Sequence, residues 1–183
     1  METSVVISGY GGQGVLLIGN LLAHAAMDQG LNVAYMPSYG VEMRGGAAMC
    51  TVVIGDGVVG SPVVGHPETL IAFTEIAMQK FGSRVKPGGL LIVNTAMADP
   101  ANLDRNDIEV IPVNFREVAE NLDNPRGLNM VALGLYLAKQ DFVTLESIEQ
   151  AFPGTIAEKY HKFIPSNMET IKKGMEIAGR RKT

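Results

Sequence analysis

The chain has 183 residues, of which 46% are apolar and 19% charged, and its net charge is −4. That length supports one hydrophobic core and the composition excludes a disordered chain, so residues 1–183 are expected to form a single domain. The acidic balance excludes a general electrostatic footprint for nucleic acid, and Arg180-Arg181-Lys182 reads as the solvated C-terminus of a helix. Cys50 is the only cysteine. It excludes an internal disulfide, a cysteine-based zinc site and an iron–sulfur cluster, and within the apolar run 47–54 it reads as a small buried hydrophobe. No apolar run approaches the roughly 18 residues of a membrane span. The N-terminus lacks the basic region and cleavage site of a signal peptide, so the cytoplasm is the expected compartment.

In chain order, Val5-Val6-Ile7 is a β-branched run followed by glycines, and it predicts a buried strand. A helix follows to about Gln29, with Val15, Ile18, Leu22 and Ala25 on one face and Gly30 as its stop. Residues 32–36 predict a second strand. Strand, helix and strand in about 30 residues make a βαβ unit, which implies parallel pairing of the two strands. Asp56-Gly57 between 47–54 and Val58-Val59 is a hairpin signal and predicts an antiparallel excursion.

Residues 70–73 read as a strand, 75–81 as a helix, 90–94 and 108–113 as strands, and 114–121 as a helix. The remainder is mostly helical. Thr155 with Glu158, and Ser166 with Glu169, have capping-box spacing. Met168, Ile171, Met175 and Ala178 form an apolar helical stripe. Residues 130–138 are apolar on every side, so that helix is buried either inside the domain or against a partner chain. Ten methionines and that segment lead to an expectation of self-association when the chain is alone. The predicted fold is α/β: a three-layer Rossmann-like domain with a mostly parallel sheet, an antiparallel hairpin and a helical C-terminal part.

Two loops carry the chemistry. Gly9, Gly11 and Gly14, with Gly12 between them, fit G-x-G-x-x-G directly after a strand and at the start of a helix. Glycines allow positive φ and close approach to the backbone, and the helix start offers free N–H groups to an anion. A dinucleotide site also needs an acid at the end of the second strand for the ribose. Tyr35-Met36-Pro37-Ser38-Tyr39 has none, so the pattern argues against NAD. A purely structural turn, or contact with another phosphate or a partner's backbone, both remain open.

The second loop, residues 37–46, sets Ser38, Tyr39, Glu42 and Arg44 among three glycines at the expected C-terminal edge of the sheet. Either Glu42 and Arg44 only pin the loop, or the loop binds a partner or a small acidic ligand. His24, His66 and His161 read as surface residues. Gly55-Asp56-Gly57 sits at an expected hairpin tip, the wrong place for a diphosphate-bound metal.

Ser8-Gly9-Tyr10-Gly11-Gly12-Gln13-Gly14-Val15, followed by Pro37-Ser38-Tyr39-Gly40, Glu42 and Arg44-Gly45-Gly46, resembles the gamma subunit or gamma domain of 2-oxoacid:ferredoxin oxidoreductases. Ser61-Pro62 and the stretch from Asn129 to Gly134 are similar to the same family. The resemblance implies oxidative decarboxylation of a 2-oxoacid with coenzyme A to acyl-CoA, carbon dioxide and reduced ferredoxin. It implies alpha and beta partner subunits that carry thiamine diphosphate and Mg, a ferredoxin-like subunit with iron–sulfur clusters, and ferredoxin as acceptor. Cofactors do that chemistry, and this chain has neither the cluster cysteines nor the thiamine motif. The implied role is assembly, with no catalytic residue and no metal here, and with Gly9, Gly11, Gly12, Gly14, Ser38, Tyr39, Glu42 and Arg44 as candidate contacts to a partner or to coenzyme A. A free-standing nucleotide-binding oxidoreductase and a non-enzymatic interaction module are the competing readings. The sequence leaves the oxoacid open, with 2-oxoglutarate and branched-chain acids slightly favoured by the resemblance.

Overall fold

A computed structural model, which describes residues 2–40 and 46–179, shows a six-stranded sheet with helices on both faces. The first half contains β1 (Glu2–Tyr10), α1 (Val15–Asp28), β2 (Asn32–Tyr39), β3 (Ala47–Gly55), β4 (Thr69–Ala72), α2 (Glu75–Gly82) and β5 (Leu90–Asn94). Then come β6 (Glu109–Val113), α3 (Phe115–Glu120), α4 (Leu128–Leu137), α5 (Leu145–Thr155) and α6 (Ile164–Ala178). The strand order is β2-β3-β1-β4-β5-β6. β1, β4, β5 and β6 pair in parallel, and β3 is antiparallel to both of its neighbours. The expected α/β class, with a mostly parallel sheet and an antiparallel excursion, holds.

The pairing inside the first βαβ unit differs from the expectation. β1 and β2 point the same way but do not touch, because β3 lies between them. Glu2–Tyr10 runs opposite residues 55 down to 47, and Asn32–Tyr39 runs opposite 55 down to 48. The expected hairpin at Gly55-Asp56-Gly57 is also absent: β3 ends at Gly55, and residues 56–68 form neither helix nor strand. The cause lies in β3 itself. Cys50, Thr51, Val52, Val53 and Ile54 are all buried, and a strand buried on both faces belongs inside a sheet rather than in a two-stranded outer ribbon.

Alternation sorts the strands into two cores. Val5, Ile7, Ile71 and Ile92 face α1, α4 and α5. Val6, Leu70, Leu91 and Val93 face Met78 and Phe81 of α2. Thr74, Asn114 and Thr144 cap α2, α3 and α5 by accepting from the amides of Ala77, Glu117 and Ser147. The capping boxes expected at Thr155 and Ser166 do not form. Both residues lie inside helices, and their hydroxyls donate back to the carbonyls of Ala151 and Phe163. The stripe on α6 is present, with Met168 and Ile171 buried and Met175 and Ala178 at the core margin. No helix of the described residues is long and apolar enough to cross a membrane.

The all-apolar segment is an internal helix. Residues 130–137 are buried within the chain, so they offer no surface to a second copy, and the expected self-association loses that motive. Tyr136 sits here, and among the described residues no hydrogen bond of good geometry reaches its buried hydroxyl. Burial pushes its ionisation upward and the Glu68 charge adds to this, while the Thr3 hydroxyl eases it.

α4 meets α6 at two glycines. A Cβ on Gly134 would overlap the carbonyl oxygen of Ile171, and one on Gly174 would overlap that of Val131. Backbone touches backbone, so neither helix can retreat without moving whole. Gly→Ala in a helix ordinarily gains about 1 kcal/mol. Gly134→Ala should instead lower stability by about 1–3 kcal/mol, the usual cost of overpacking, read as a lower urea midpoint with an unchanged slope.

Candidate ligand- and partner-contact site

The C-terminal ends of β1, β2, β4 and β5 gather at one end of the sheet, and the glycine turn sits there. Gly9 is buried, and a Cβ on it would lie 2.7 Å from Phe73 Cβ and 2.5 Å from Gln13 Oε1. Gly14 caps α1 with φ +75, and a Cβ there would overlap the side chain of Asn129. Packing requires glycine at both positions, and at Gly14 the left-handed φ requires it as well. Gly12 differs: its φ is +97, it is exposed, and a Cβ on it would meet nothing within 4 Å. The side of the turn facing outward is therefore the side at Gly12.

Hydrogen bonds fix the turn. The Gln13 amide donates to Tyr10 O (3.2 Å), and Tyr10 N–H donates to Gln13 Oε1 (2.7 Å). Gln13 Nε2 reaches Met97 Sδ at 3.3 Å. Asn129, buried in the first turn of α4, makes a long bond of 3.4 Å to Gly14 O. Glu75 holds the neighbouring loop. Its own amide donates to Met97 O (3.0 Å), and its carboxylate accepts from the Asp99 amide (2.9 Å) and from Asn102 (3.1 Å). The bond from Asp99, with smaller help from Asn102 and Gln79 and against some desolvation, keeps this carboxyl below the usual range. Asn94, also buried, donates to Phe73 O and accepts from the amides of Ala96 and Phe115. Asn94, Glu75 and Met97 are supporting residues that the sequence did not signal, because each acts through distant backbone.

The second loop comes to the first. Gly11 N–H donates to Gly46 O (2.9 Å), and Gly40 N–H donates to Ala47 O (2.7 Å). Both ends of residues 40–46 are thus tied at the tip of β3, beside the glycine turn. Ser38 and Tyr39 are exposed on the rim, Tyr39 at 64%. Glu42 and Arg44 lie outside the described residues. Among the described backbone and side chains, the amides of Gly12, Gly14 and Val15 take no partner, as expected at the open start of a helix.

Geometry weighs further against a dinucleotide. A ribose-binding acid sits at the end of a strand adjacent to β1. Here β2 is two inter-strand steps away, about 10 Å, and its end carries Ser38 and Tyr39. Among the described residues, no group of three His, Cys, Asp or Glu side chains converges on a metal position. A cleft of about 560 Å³ exists at the opposite end of the sheet, bordered by Glu2, Glu68, Lys86, Gly88, Lys139 and Asp141. It contains none of the candidate residues. Its lysines are engaged with Glu68 (3.1 Å) and Glu109 (2.6 Å), so it presents no unpaired lysine to an anion. The histidines stay out of both places: His24 and His66 are exposed, and His66 and His161 contact the carbonyls of Arg84 and Ile156.

This is a Rossmann-like α/β domain whose glycine turn has been separated from the ribose-binding position by an inserted strand. Residues 4–177 match the family model described as pyruvate ferredoxin/flavodoxin oxidoreductase, and the chain belongs to that family. Ketoisovalerate oxidoreductase subunit VorA of Methanothermobacter marburgensis is 35% identical over 178 residues, covering 97% of this chain and 37% of VorA. 2-Oxoglutarate synthase subunit KorC of Methanocaldococcus jannaschii is 29% identical, covering 97% of this chain and 95% of KorC. The chain thus spans about a third of the VorA relatives and nearly all of KorC. Among solved structures, the gamma subunit of a keto/oxoacid ferredoxin oxidoreductase from Geobacter sulfurreducens superposes with a TM-score of 0.79 at 29% identity, covering 96% of this chain and 98% of that one.

Cys50 lies beneath the start of α1, fully buried, with its Sγ 3.6 Å from Val15 O and packed against Gly19. Burial pushes its thiol up from 9.0 to about 12. Cys50 should resist a thiol reagent in the native protein at pH 8 and react fully in denaturant. A raised folded-state value means that the thiol's contribution to stability is intact below pH 9 and is lost as pH climbs from 9 to 12. Gly9→Ala should lower stability by about 1–3 kcal/mol through overpacking. Gly12→Ala should cost only about 1 kcal/mol, for its positive φ. Denaturant titration of the pair checks the contrast.

Proposed function

We propose that this chain is the gamma subunit of a multi-subunit 2-oxoacid:ferredoxin oxidoreductase, and that its glycine turn and loop 38–46 form one contact surface for a partner subunit or for coenzyme A. The observation that carries the site is the Gly11–Gly46 bond, which joins the two loops around the open Gly12. Membership of the oxidoreductase family and the near-complete match to KorC and to a solved gamma subunit support the subunit role. In this reading the reaction converts a 2-oxoacid, coenzyme A and oxidised ferredoxin to acyl-CoA, carbon dioxide and reduced ferredoxin. Alpha and beta subunits hold thiamine diphosphate and Mg, and a ferredoxin-like subunit holds the iron–sulfur clusters. A branched-chain 2-oxoacid or 2-oxoglutarate is the favoured substrate, by analogy with VorA and KorC. The complex works in the cytoplasm, with residues 1–183 as one domain of it.

Within the surface, Gly9 and Gly14 give the turn its shape, and Gly12 lets a partner backbone or a phosphate approach. Ser38 and Tyr39 form the rim. Arg44 supplies the positive charge, and Glu42 orients it.

The isolated chain should fold but show no turnover with 2-oxoacid, coenzyme A and a dye acceptor, and addition of the partner subunits should restore activity. Robust turnover by the chain alone rules the subunit reading out. Arg44→Ala should leave the unfolding midpoint unchanged, since a loop arginine adds little to the core. In the reconstituted enzyme it should weaken assembly or raise the KM for coenzyme A by roughly tenfold, the scale of one charge-assisted contact. Wild-type assembly and turnover at limiting coenzyme A would show that the loop is structural only.

A further inference from the structure

One exposed segment of this acidic chain is basic and aromatic. The connection between α5 and α6 is a 3-10 helix, Glu158–Phe163, of sequence Glu-Lys-Tyr-His-Lys-Phe. In such a helix residues i and i+3 eclipse, about 6 Å apart along the axis. Lys159 and Lys162 therefore form one row, and Tyr160 and Phe163 form the next. Each ammonium lies over the ring that follows it in sequence, at 5.0 Å for Lys159 on Tyr160 and 5.1 Å for Lys162 on Phe163. Tyr160 is 47% exposed and Phe163 44%, and among the described residues neither lysine makes an ion pair. The Tyr160 amide donates to Ala157 O (2.8 Å), and the His161 ring contacts Ile156 O (3.1 Å). These bonds make the segment a fixed knuckle that offers two ring-and-cation units.

The opposite charge lies in the cleft at the N-terminal end of β1. Four carboxylates, Glu2, Glu68, Glu109 and Asp141, border it against two ammonium groups, Lys86 and Lys139. That is a surplus of two negative charges among the described residues. Each lysine reaches only one oxygen of its partner, Oε1 of Glu68 and Oε1 of Glu109. The carboxylates are spread around the cleft and do not converge on a metal position. Pro87, Leu90 and Phe142 supply apolar wall between them. Dispersed negative charge around an apolar wall suits a cation carried on a ring or a long stem. The volume of about 560 Å³ falls within the range of sites that enclose a ligand.

A chain cannot fill its own cleft. α5 begins just after Phe142, and the knuckle follows its other end, 11 residues on. That helix holds the two about 16 Å apart. The buried helix at 130–137 takes no part in either surface.

We propose that the knuckle at residues 158–163 docks in the acidic cleft of a second copy of this chain. Two copies related by a two-fold axis exchange knuckles, which closes the contact at a dimer. Tyr160 and Phe163 lie against the wall at Pro87, Leu90 and Phe142, and Lys159 and Lys162 meet the surplus carboxylates. The inference concerns the chain alone and does not rest on the gamma-subunit reading.

A charge-swap experiment on the full chain tests it, with solution mass read by analytical ultracentrifugation. Wild type should be dimeric at about 0.01 M salt and dissociate towards 1 M, as the screening length falls from roughly 30 to 3 Å. One variant reverses the knuckle, Lys159→Glu with Lys162→Glu. The other reverses the cleft, Glu2→Lys with Asp141→Lys. All four side chains are exposed, so both variants should keep the wild-type thermal midpoint. Each alone should dimerise at least about tenfold more weakly, since every reversal turns an attraction into a repulsion. Mixed in equal amounts, they should form a heterodimer as tight as the wild-type dimer, because each knuckle then faces a cleft of opposite sign. A wild type that is monomeric at low salt overturns the proposal. So does a dimer that both variants leave intact, which places the interface elsewhere. Two folded variants that stay monomeric when mixed show that knuckle and cleft do not meet, and they overturn it as well.

Discussion

β3 is hydrogen-bonded on both sides along its whole length, and that double register organises the molecule. It fixes β1 to one flank and β2 to the other, so that the two strands bearing the motifs end level with each other at Tyr10 and Tyr39. It also returns the chain to the same tip, where Ala47 accepts from Gly40 and the adjacent Gly46 accepts from Gly11. Gly46 lies beside the glycine turn because one apolar strand lies between β1 and β2. A one-residue slip of β3 would move Cys50, Val52 and Ile54 to the other face of the sheet.

The same insertion explains why a glycine fingerprint need not imply a dinucleotide. In a simple βαβ unit the turn and the end of the second strand are adjacent, and one ligand can span them. Here the strand between them pushes the second end outward. What remains at the turn is a helix start with open amides and an outward-facing Gly12.

Most elements could be read from the sequence because each depends on local pattern. The strand at 90–94 agrees with its expected bounds, and α2 and the stripe on α6 fall where periodicity placed them. The errors share a cause. Asp56-Gly57 has hairpin chemistry, and 32–36 has the spacing of a parallel neighbour, but both were overruled by the burial of β3, which is decided by strands distant in sequence. Thr155 and Ser166 show cap spacing, yet Thr155 is the last residue of α5 and Ser166 lies within the first turn of α6. The closeness of Gly46 to the glycine turn was legible. The supports of that turn were not, since Asn94, Asn129 and Glu75 bond to backbone groups 21 to 115 positions away.

The division of labour among the glycines of the turn bears on how such signatures are interpreted elsewhere. Gly9 and Gly14 are held by Phe73 and Asn129, which belong to the protein's own interior, whereas Gly12 answers to nothing inside it. A descendant with no contact at this turn would keep the first two for packing, while only a positive φ would hold the third. Persistence of the outer glycines is thus a record of folding, and the middle position is where an inherited motif would first betray that its purpose had lapsed.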